Sequence, residues 1–196
     1  MKSRVIFLLL VVSYLIFGQK AETQKIAQKR VVMVIAQRDF RDEELKVPMD
    51  FLLSKNIKVE VASTDTIEAV GMLGMQIKPT MRIGAINPKD FSGIIFVGGI
   101  GVMKLWTDTL LYRIANDFYN EKKVIGAICL APVILARAGL LKGLKATVYP
   151  SGRDELVKAR ALCSKADIEV SGRIITASGP PAAKKFASAF YNKLMK

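Results

Sequence analysis

The sequence contains few residues that could do chemistry, and one of them is a cysteine in an unusual setting. The chain has 196 residues, with two cysteines and no histidine. Without histidine there can be no Ser-His or Cys-His dyad, no histidine-ligated metal and no histidine pH switch. Two cysteines are too few for a four-thiolate zinc site or a disulfide framework. These counts argue against a metal site, and a cysteine is the candidate centre of chemistry. We also expect no cofactor.

Cys129 follows the apolar run Val124–Ile128, and Pro132 comes three residues later. The run predicts a buried strand, and proline suits the first turn of a helix. Small residues at Ala127 and Ala131 permit the sharp strand-to-helix turn that exposes a nucleophile. The start of the helix would supply free N–H groups and a partial positive charge, so we expect a lowered thiol pKa for Cys129. The alternative is a buried structural cysteine.

The elements around this turn predict the fold class. Continuous apolar runs typical of strands buried on both faces of a parallel sheet occupy residues 31–36, 93–97 and 124–128. Alternation predicts a further strand at residues 58–62, a small hairpin is predicted at 71–79, and a late strand pair at 168–170 and 174–176. Helical periodicity covers residues 43–55, 103–119 and 181–194. Strands alternating with helices predict an α/β fold: one doubly wound, mostly parallel, flavodoxin-like sheet with helices on both faces.

One face of the first predicted helix is expected to be buried. The periodicity places Leu45, Met49, Leu52 and Leu53 near one face of residues 43–55. We expect that face to pack against the sheet.

The N-terminus has the features of a targeting segment. Lys2 and Arg4 precede an apolar run at residues 5–17, which is short for a membrane span but suits a secretory signal. The small-x-small cleavage pattern around Gly18 is poor, so an uncleaved membrane anchor remains open beside a cleaved signal. A buried N-terminal helix is the third alternative. We expect the protein to be exported, to the periplasm or outside the cell, or anchored to a membrane through this segment.

These observations divide the chain into three parts. Residues 1–18 are predicted as signal peptide or anchor, residues 19–29 as a polar tether, and residues 30–196 as one α/β domain.

The chain is strongly basic, with 30 Lys and Arg against 17 Asp and Glu and a net charge of +13. Such a charge favours contact with anionic surfaces. The basic residues are nevertheless dispersed and form no basic block or aromatic-basic stripe. We therefore predict membrane contact through the N-terminal segment and no nucleic-acid binding.

Five ordered groups of segments resemble the ThiJ/PfpI superfamily, which has the class I glutamine amidotransferase-like fold. The elbow at residues 127–132 carries the resemblance, together with the first strand-to-helix junction at 36–45 followed by Pro48, the Gly-Gly-x-Gly turn at 96–101, the stretches at 138–143 and 146–151, and the late turn at 174–180. The resemblance covers nearly the whole folded part and implies a homodimer.

The resemblance also implies a site. The acidic partner of Cys129 maps to Glu44, four residues before Pro48, where it would bond the thiol and act as general acid or base. A carboxylate beside a thiolate implies one shared proton. The backbone N–H groups of Gly98, Gly99 and Leu130 would form an oxyanion hole.

Two neighbouring acids, Asp42 and Glu43, are predicted instead as exposed residues of the first helical turn.

The sequence departs from the family pattern in its histidines. One branch has histidine directly after the cysteine, where this chain has Leu130, and another has it before Pro150, where this chain has Tyr149. Protease and amidotransferase activities are therefore disfavoured. Tyr149 is a possible auxiliary hydrogen-bond donor but a poor base near neutral pH.

The resemblance, together with the missing histidines, implies three alternative functions. The first is a cofactor-free glyoxalase- or deglycase-like stress-response enzyme that acts on small aldehydes through Cys129 and Glu44. The second is a non-enzymatic redox sensor or protective protein in which an oxidant converts Cys129 to sulfenic or sulfinic acid. The third is a family member that keeps only the fold. Cys163 is predicted to be a packing residue, with a disulfide or resolving role toward Cys129 as the alternative.

Overall fold

A seven-stranded sheet forms the centre of the molecule in the computed structural model, which describes residues 28–196. Its strands are β1 (Arg30–Val34), β3 (Lys58–Ser63), β6 (Met81–Arg82), β7 (Gly93–Phe96), β8 (Val124–Ile128), β11 (Ile168–Ser171) and β12 (Ile174–Ala177). Their order across the sheet is β11-β12-β8-β7-β1-β3-β6. The neighbours are parallel except at the edge, where β11 runs antiparallel to β12. The predicted doubly wound, mostly parallel α/β sheet is confirmed.

Two small sheets flank the main one. One contains β2 (Arg38–Phe40), β4 (Ala69–Gly71) and β5 (Gln76–Ile77), and the other pairs β9 (Lys145–Ala146) with β10 (Leu162–Cys163). The antiparallel pair β4–β5 is the hairpin predicted at residues 71–79. The strands β2, β9 and β10 were not predicted, because two or three residues are too few to establish an alternating pattern.

Five α-helices accompany the sheets within the described residues. They are α1 (Asp42–Ser54), α2 (Thr109–Asn120), α3 (Pro132–Arg137), α4 (Arg153–Lys158) and α5 (Ala183–Leu194). Helix α1 packs against α5, and α2 packs against α3. Every residue of β7 and β8 is buried, as expected for strands with helices on both faces.

Two predicted helices begin later than their apolar periodicity suggested. A 3₁₀ segment, Ile100–Leu105, precedes α2, and the side chain of Asp108 caps that helix by accepting a hydrogen bond from the Leu110 N–H (2.9 Å). Another 3₁₀ turn, Pro180–Ala182, precedes α5. An N-cap residue fixes the start of a helix, whereas apolar spacing continues through the turn that comes before it.

The predicted buried face of α1 was wrong at one position. Leu45 and Leu52 are fully buried, but Leu53 is 50% exposed. One residue corresponds to 100° of helix rotation, which carries position 53 away from the sheet.

The predicted signal or anchor (1–18) and nearly all of the predicted tether (19–29) lie outside the described residues. Within residues 28–196, no helix is both long enough and apolar enough to cross a bilayer. The division into three parts stays a prediction, as does the homodimer.

Close approach of α5 to the sheet explains a glycine in the middle of β8. A β-carbon at Gly126 would lie 2.7 Å from the ring of Phe186 and 3.0 Å from the ring of Phe190. Both rings are fully buried, so the absent side chain lets them pack directly onto the backbone of the strand that ends at Cys129.

We predict that Phe186→Ala lowers the free energy of unfolding by about 3–5 kcal/mol, since it opens a cavity beneath β8. The measurement is urea denaturation followed by circular dichroism. Leu53→Ala, at a half-exposed position of α1, is the control and should cost much less. Equal losses in the two variants would contradict the packing described for α5.

Candidate active site

Cys129 occupies the end of β8 in a backbone conformation that few residues adopt. Its φ is +62°, in the left-handed region that costs a non-glycine residue free energy. Two backbone hydrogen bonds hold it there: the Cys129 N–H donates to the Ala177 carbonyl (2.9 Å), and its own carbonyl accepts from the Tyr149 N–H (2.8 Å). The indole N–H of Trp106 also donates to the carbonyl of Leu130 (3.1 Å). The chain therefore forms a braced, strained elbow at this cysteine.

The thiol of Cys129 is not activated in the way that the sequence suggested. Burial raises the pKa of Cys129 to about 12, and the negative charge of Glu44 adds to the rise. The N–H groups of Gly99 and Leu130 are directed at the sulfur and lower its pKa, but by less. The expected lowering of the thiol pKa was wrong, because burial and the charge of Glu44 raise it by more than the two N–H groups lower it.

Glu44 lies in the first turn of α1 and is completely buried. Its backbone N–H donates to the Arg41 carbonyl (3.1 Å), and the Arg41 N–H donates to the Gly98 carbonyl (3.0 Å). These bonds fasten the start of α1 to the loop after β7. Burial raises the pKa of Glu44 to about 7, although the Cys129 thiol, the Arg41 charge and the Gly98 N–H each lower it.

Gly98 is the residue that lets the thiol and the carboxyl group meet. A β-carbon at position 98 would lie 2.5 Å from the Cβ of Cys129 and 2.5 Å from Oε2 of Glu44. Those two atoms are therefore no more than twice that distance apart. Any side chain at position 98 would push into both groups. Its N–H faces Glu44, whereas the N–H groups facing the sulfur belong to Gly99 and Leu130.

Glu44 and Cys129 titrate as a coupled pair. Neither carboxyl oxygen of Glu44 has a partner in full hydrogen-bond geometry among residues 28–196, so its contacts with the thiol and the Gly98 N–H are long or bent. With pKa values of about 7 and about 12, the pair holds two protons below neutrality and a single proton over a wide range above it. The pair is thus equipped to exchange a proton with a bound molecule.

Asp42 and Glu43, the two acids that precede Glu44, make different contacts. Asp42 was predicted to be exposed but is 8% exposed, and its carboxylate accepts the N–H groups of Leu73 (2.8 Å) and Met75 (2.7 Å). The prediction was wrong because the hairpin β4–β5 folds over the start of α1 and needs an acceptor there. Glu43 pairs with Arg41 at 2.8 Å, and both residues remain partly accessible to solvent.

An open cleft of about 750 Å³ leads to Cys129. Most of its lining is apolar, and Arg41, Glu43 and Tyr149 supply the polar groups. Tyr149 is 45% exposed, and its ring stands against the backbone of Gly179, 3.3 Å from where a β-carbon would be. The structure therefore brings Cys129, Glu44, Gly98, Gly99 and Leu130 together, and it places Tyr149 at the wall of the same cleft.

Sequence reasoning missed two residues that shape this site. Arg41 precedes the helix and carries its charge to the cleft, where it interacts with both Glu44 and Cys129. Trp106 braces the elbow from the loop before α2. Trp106 is the only tryptophan in the chain, and this rarity was the one sequence signal that could have pointed to it.

Cys163 lies apart from the cleft lining, in the short strand β10, and is partly buried. Both cysteines are free thiols, so no disulfide joins them. Among residues 28–196, no group of three or more cysteine, aspartate or glutamate side chains is arranged to hold a metal ion.

Comparisons with known proteins agree with the fold. The model of the DJ-1/PfpI family matches residues 29–193. An uncharacterised protein of Methanocaldococcus jannaschii is 46% identical over 184 residues, or 92% of this chain and 90% of the relative. Residues 28–196 make up about 86% of the chain, so this match extends into the segment before them.

Relatives with named activities are more distant. A deglycase of Pyrococcus horikoshii is 28% identical over 149 residues, covering 76% of this chain and 90% of the relative. A glutathione-independent glyoxalase of Caenorhabditis elegans is 26% identical over 161 residues, covering 82% and 86%. The crystal structure of a ThiJ/PfpI domain protein from Brachyspira murdochii superposes with a TM-score of 0.84 at 28% identity, covering 86% of this chain and 97% of that one.

The buried carboxyl group should make folding stability depend on pH. The pKa of Glu44 is about 7 in the folded protein against an ordinary 4.5, so the folded state binds the proton more tightly. Glu44 therefore stabilises the fold below about pH 4.5, and this stabilisation is lost as pH rises toward 7. We expect the free energy of unfolding of Glu44→Gln, relative to wild type, to increase by about 3 kcal/mol between pH 4.5 and pH 8.

Denaturant titrations at both pH values measure this difference, and any fixed cost of the buried amide cancels in it. Glu43→Gln is the matched control, since Glu43 lies one residue earlier, is partly exposed and has a lowered pKa through its bond to Arg41. A pH-independent difference for Glu44→Gln would show that this carboxyl group is ionised at its ordinary pKa.

The high pKa of Cys129 predicts slow alkylation. In a Cys163→Ser background, we expect the rate of iodoacetamide labelling of Cys129 to rise steadily up to at least pH 10, because little thiolate exists below that. Glu44→Gln should label faster at pH 8, since the charge that raises the thiol pKa is gone. Mass spectrometry of the Cys129 peptide gives the rates. A wild-type plateau beginning near pH 6 would reveal a preformed thiolate and contradict the assignment.

Proposed function

The chain belongs to the DJ-1/PfpI family, and we propose that it is a cysteine-dependent enzyme of the glyoxalase or deglycase type, acting on small reactive aldehydes through Cys129 and Glu44. The observation that carries the proposal is the buried thiol–carboxyl pair, which holds one proton above neutrality and whose cysteine lines an open cleft. The deglycase and glyoxalase names of relatives support the substrate class.

The first step is addition of the thiol to the aldehyde. The sulfur of Cys129 forms a bond to the carbonyl carbon while its proton moves to the Glu44 carboxylate, which lies against the same glycine. The carbonyl π electrons become an alkoxide, and the newly protonated Glu44 returns the proton to that oxygen. The product is a neutral hemithioacetal, and the carboxylate is regenerated.

The N–H groups directed at the sulfur support this step. Gly99 holds its position only as glycine, because its φ is +101° and a β-carbon would lie 2.3 Å from the Asp39 carbonyl. Its N–H and that of Leu130 face the reacting centre, where negative charge develops on the oxygen. The Gly98 N–H faces Glu44 instead and would help that carboxyl group to ionise. The proposed oxyanion hole thus consists of two N–H groups rather than three.

For a 2-oxoaldehyde such as methylglyoxal, the same carboxylate can complete the reaction. Glu44 removes the proton on the thiol-bearing carbon, an enediol forms, and the proton is delivered to the neighbouring carbon. The result is a thioester of a 2-hydroxy acid. Water cleaves the thioester to lactate and restores the thiol. The oxidation of one carbon balances the reduction of the next, so the reaction requires no external electron acceptor and no histidine.

The cleft admits more than a free aldehyde. Its volume of about 750 Å³ and its open mouth would accommodate a carbonyl adduct on a side chain or small amine, which is the substrate type of a deglycase. At the mouth, Arg41 would bind an anionic group on such a substrate, since it is partly exposed there.

A second function, oxidation of Cys129, is favoured by one specific feature. Two buried Glu44 oxygens lie beside the thiol without a partner in full hydrogen-bond geometry among the described residues. A peroxide would oxidise the thiol to sulfenic and then sulfinic acid, with water as the reduced product. Protonated Glu44 would then donate a hydrogen bond to the new sulfur-bound oxygen. The high thiol pKa makes this reaction slow, and we therefore place it second.

The test of the proposed enzyme uses the full chain with methylglyoxal and records aldehyde loss together with lactate formation. We expect Cys129→Ala to abolish lactate and Glu44→Gln to reduce its formation at least about 100-fold, the lower end of the range for general acid–base catalysis. Because the Glu44 carboxylate must accept the first proton, kcat/KM should rise with pH through about 7.

Cys163→Ser is the matched control and should keep wild-type activity. Absence of lactate in wild type would end the glyoxalase assignment. Full activity in Glu44→Gln would remove Glu44 from the mechanism while leaving the cysteine in it.

A further inference from the structure

A second cleft, of about 860 Å³, opens at the other end of the sheet from Cys129. The cleft lies where β8 and β12 begin, next to the ends of α2 and α5. The turn between β11 and β12 contributes Gly172, whose φ is +61°. Four cationic side chains line this cleft: Lys122, Arg173, Lys193 and Lys196. No aspartate or glutamate side chain lines it.

These four cations are not neutralised within the part of the chain that the structure describes. None of them takes part in an ion pair there, whereas the neighbouring Lys123 is paired with Glu121 at 3.6 Å and Lys58 with Glu60 at 3.2 Å. Four like charges around one concave surface repel each other and strengthen the local positive potential. The arrangement therefore favours an anionic partner at this site.

The N-terminal segment joins the domain at the same place. Lys29 donates a hydrogen bond from Nζ to the carbonyl of Leu194, in the last turn of α5 between the two lysines of the cleft. The Gln28 side-chain amide donates to Oδ1 of Asn56 (3.0 Å) and to its carbonyl (3.1 Å), just before β3 begins. Residues 1–27 therefore connect to the end of the sheet that carries the cationic cleft.

The sequence of that segment limits how far the cleft can lie from its apolar part. The apolar run ends at Phe17, eleven residues before Gln28. Eleven residues span at most about 40 Å when fully extended. If residues 5–17 insert into a membrane, the cationic end of the sheet stays within that distance of the lipid headgroups.

We propose that the cationic cleft binds the phosphate groups of an anionic phospholipid surface, so that the domain rests on the membrane with its Cys129 cleft facing away. The proposal rests on retention of the N-terminal segment and is independent of the aldehyde chemistry. Tyr119, which is 47% exposed at the cleft, is a residue type that favours the membrane–water interface. Met195, next to Leu194, is 52% exposed and adds apolar surface at the same end.

A bilayer fits these features better than a nucleic acid does. The four cations line one concavity beside the attachment point of an apolar segment. Binding to a nucleic acid would require a stripe of charge long enough to follow a phosphate backbone.

The test uses the full chain and lipid vesicles, either of phosphatidylcholine alone or with about one third phosphatidylglycerol. Flotation gives the association constant on each vesicle, and the ratio of anionic to neutral isolates the electrostatic part. We expect Lys122→Gln/Lys193→Gln/Lys196→Gln to lower this ratio by about fivefold for each charge removed, or about 100-fold in total. The control Lys78→Gln/Lys104→Gln/Lys184→Gln, at exposed positions toward the opposite end, should leave the ratio within about threefold of wild type.

Hydrogen–deuterium exchange on the same samples locates the contact. Amides at residues 119–123, 171–173 and 193–196 should gain protection on anionic vesicles only. An equal ratio for both triple variants, or no added protection of these amides, would overturn the proposal. Salt-sensitive binding of a DNA duplex that is stronger than vesicle binding would also overturn it, in favour of a nucleic-acid site.

Discussion

Burial of one carboxyl group against one thiol is the constraint on which the rest of this structure depends. A charged Glu44 in a site with no exposed surface is costly, and the cost is reduced only if the carboxyl group keeps its proton to a higher pH. The same charge makes ionisation of Cys129 difficult, so each group limits the other. The same burial would only destabilise an ordinary core, but here it gives the site a proton that can be transferred at neutral pH.

Several elements around the pair hold it in this arrangement. Asp42 holds the β4–β5 hairpin over the start of α1, and the indole N–H of Trp106 braces the elbow at the Leu130 carbonyl. Glycine at positions 98 and 99 lets two stretches of backbone approach the pair more closely than any other residue would allow. Beneath the elbow, the rings of α5 pack directly against Gly126. Hydrogen bonds to Ala177, Tyr149 and Trp106 hold the elbow and keep the strained φ of Cys129.

Local signals in the sequence predicted the main strands and the cysteine elbow, because long apolar runs and the strand–cysteine–proline order are local patterns. Glu44 and the glycine turn were expected only from the family resemblance. The sequence did not predict the energetics of the thiol. The depth of burial and the charge of Glu44 raise the pKa of Cys129, and both depend on tertiary packing that no local pattern records. Asp42 was misjudged for the same reason: a hairpin 30 residues away determines its burial. The late starts of α2 and α5 show that apolar spacing passes through a 3₁₀ turn unchanged.

The central claim is that Glu44 keeps a proton to about pH 7 because of where it lies, and a direct measurement is the NMR titration of its side-chain carboxyl carbon in protein labelled with ¹³C-glutamate. Comparison with Glu44→Gln assigns the signal. The account predicts a midpoint near pH 7, far above that of Glu43, whose bond to Arg41 lowers its pKa. A midpoint for Glu44 close to the ordinary 4.5 would mean that the pair does not share a proton at neutral pH, and the proposed mechanism would fail.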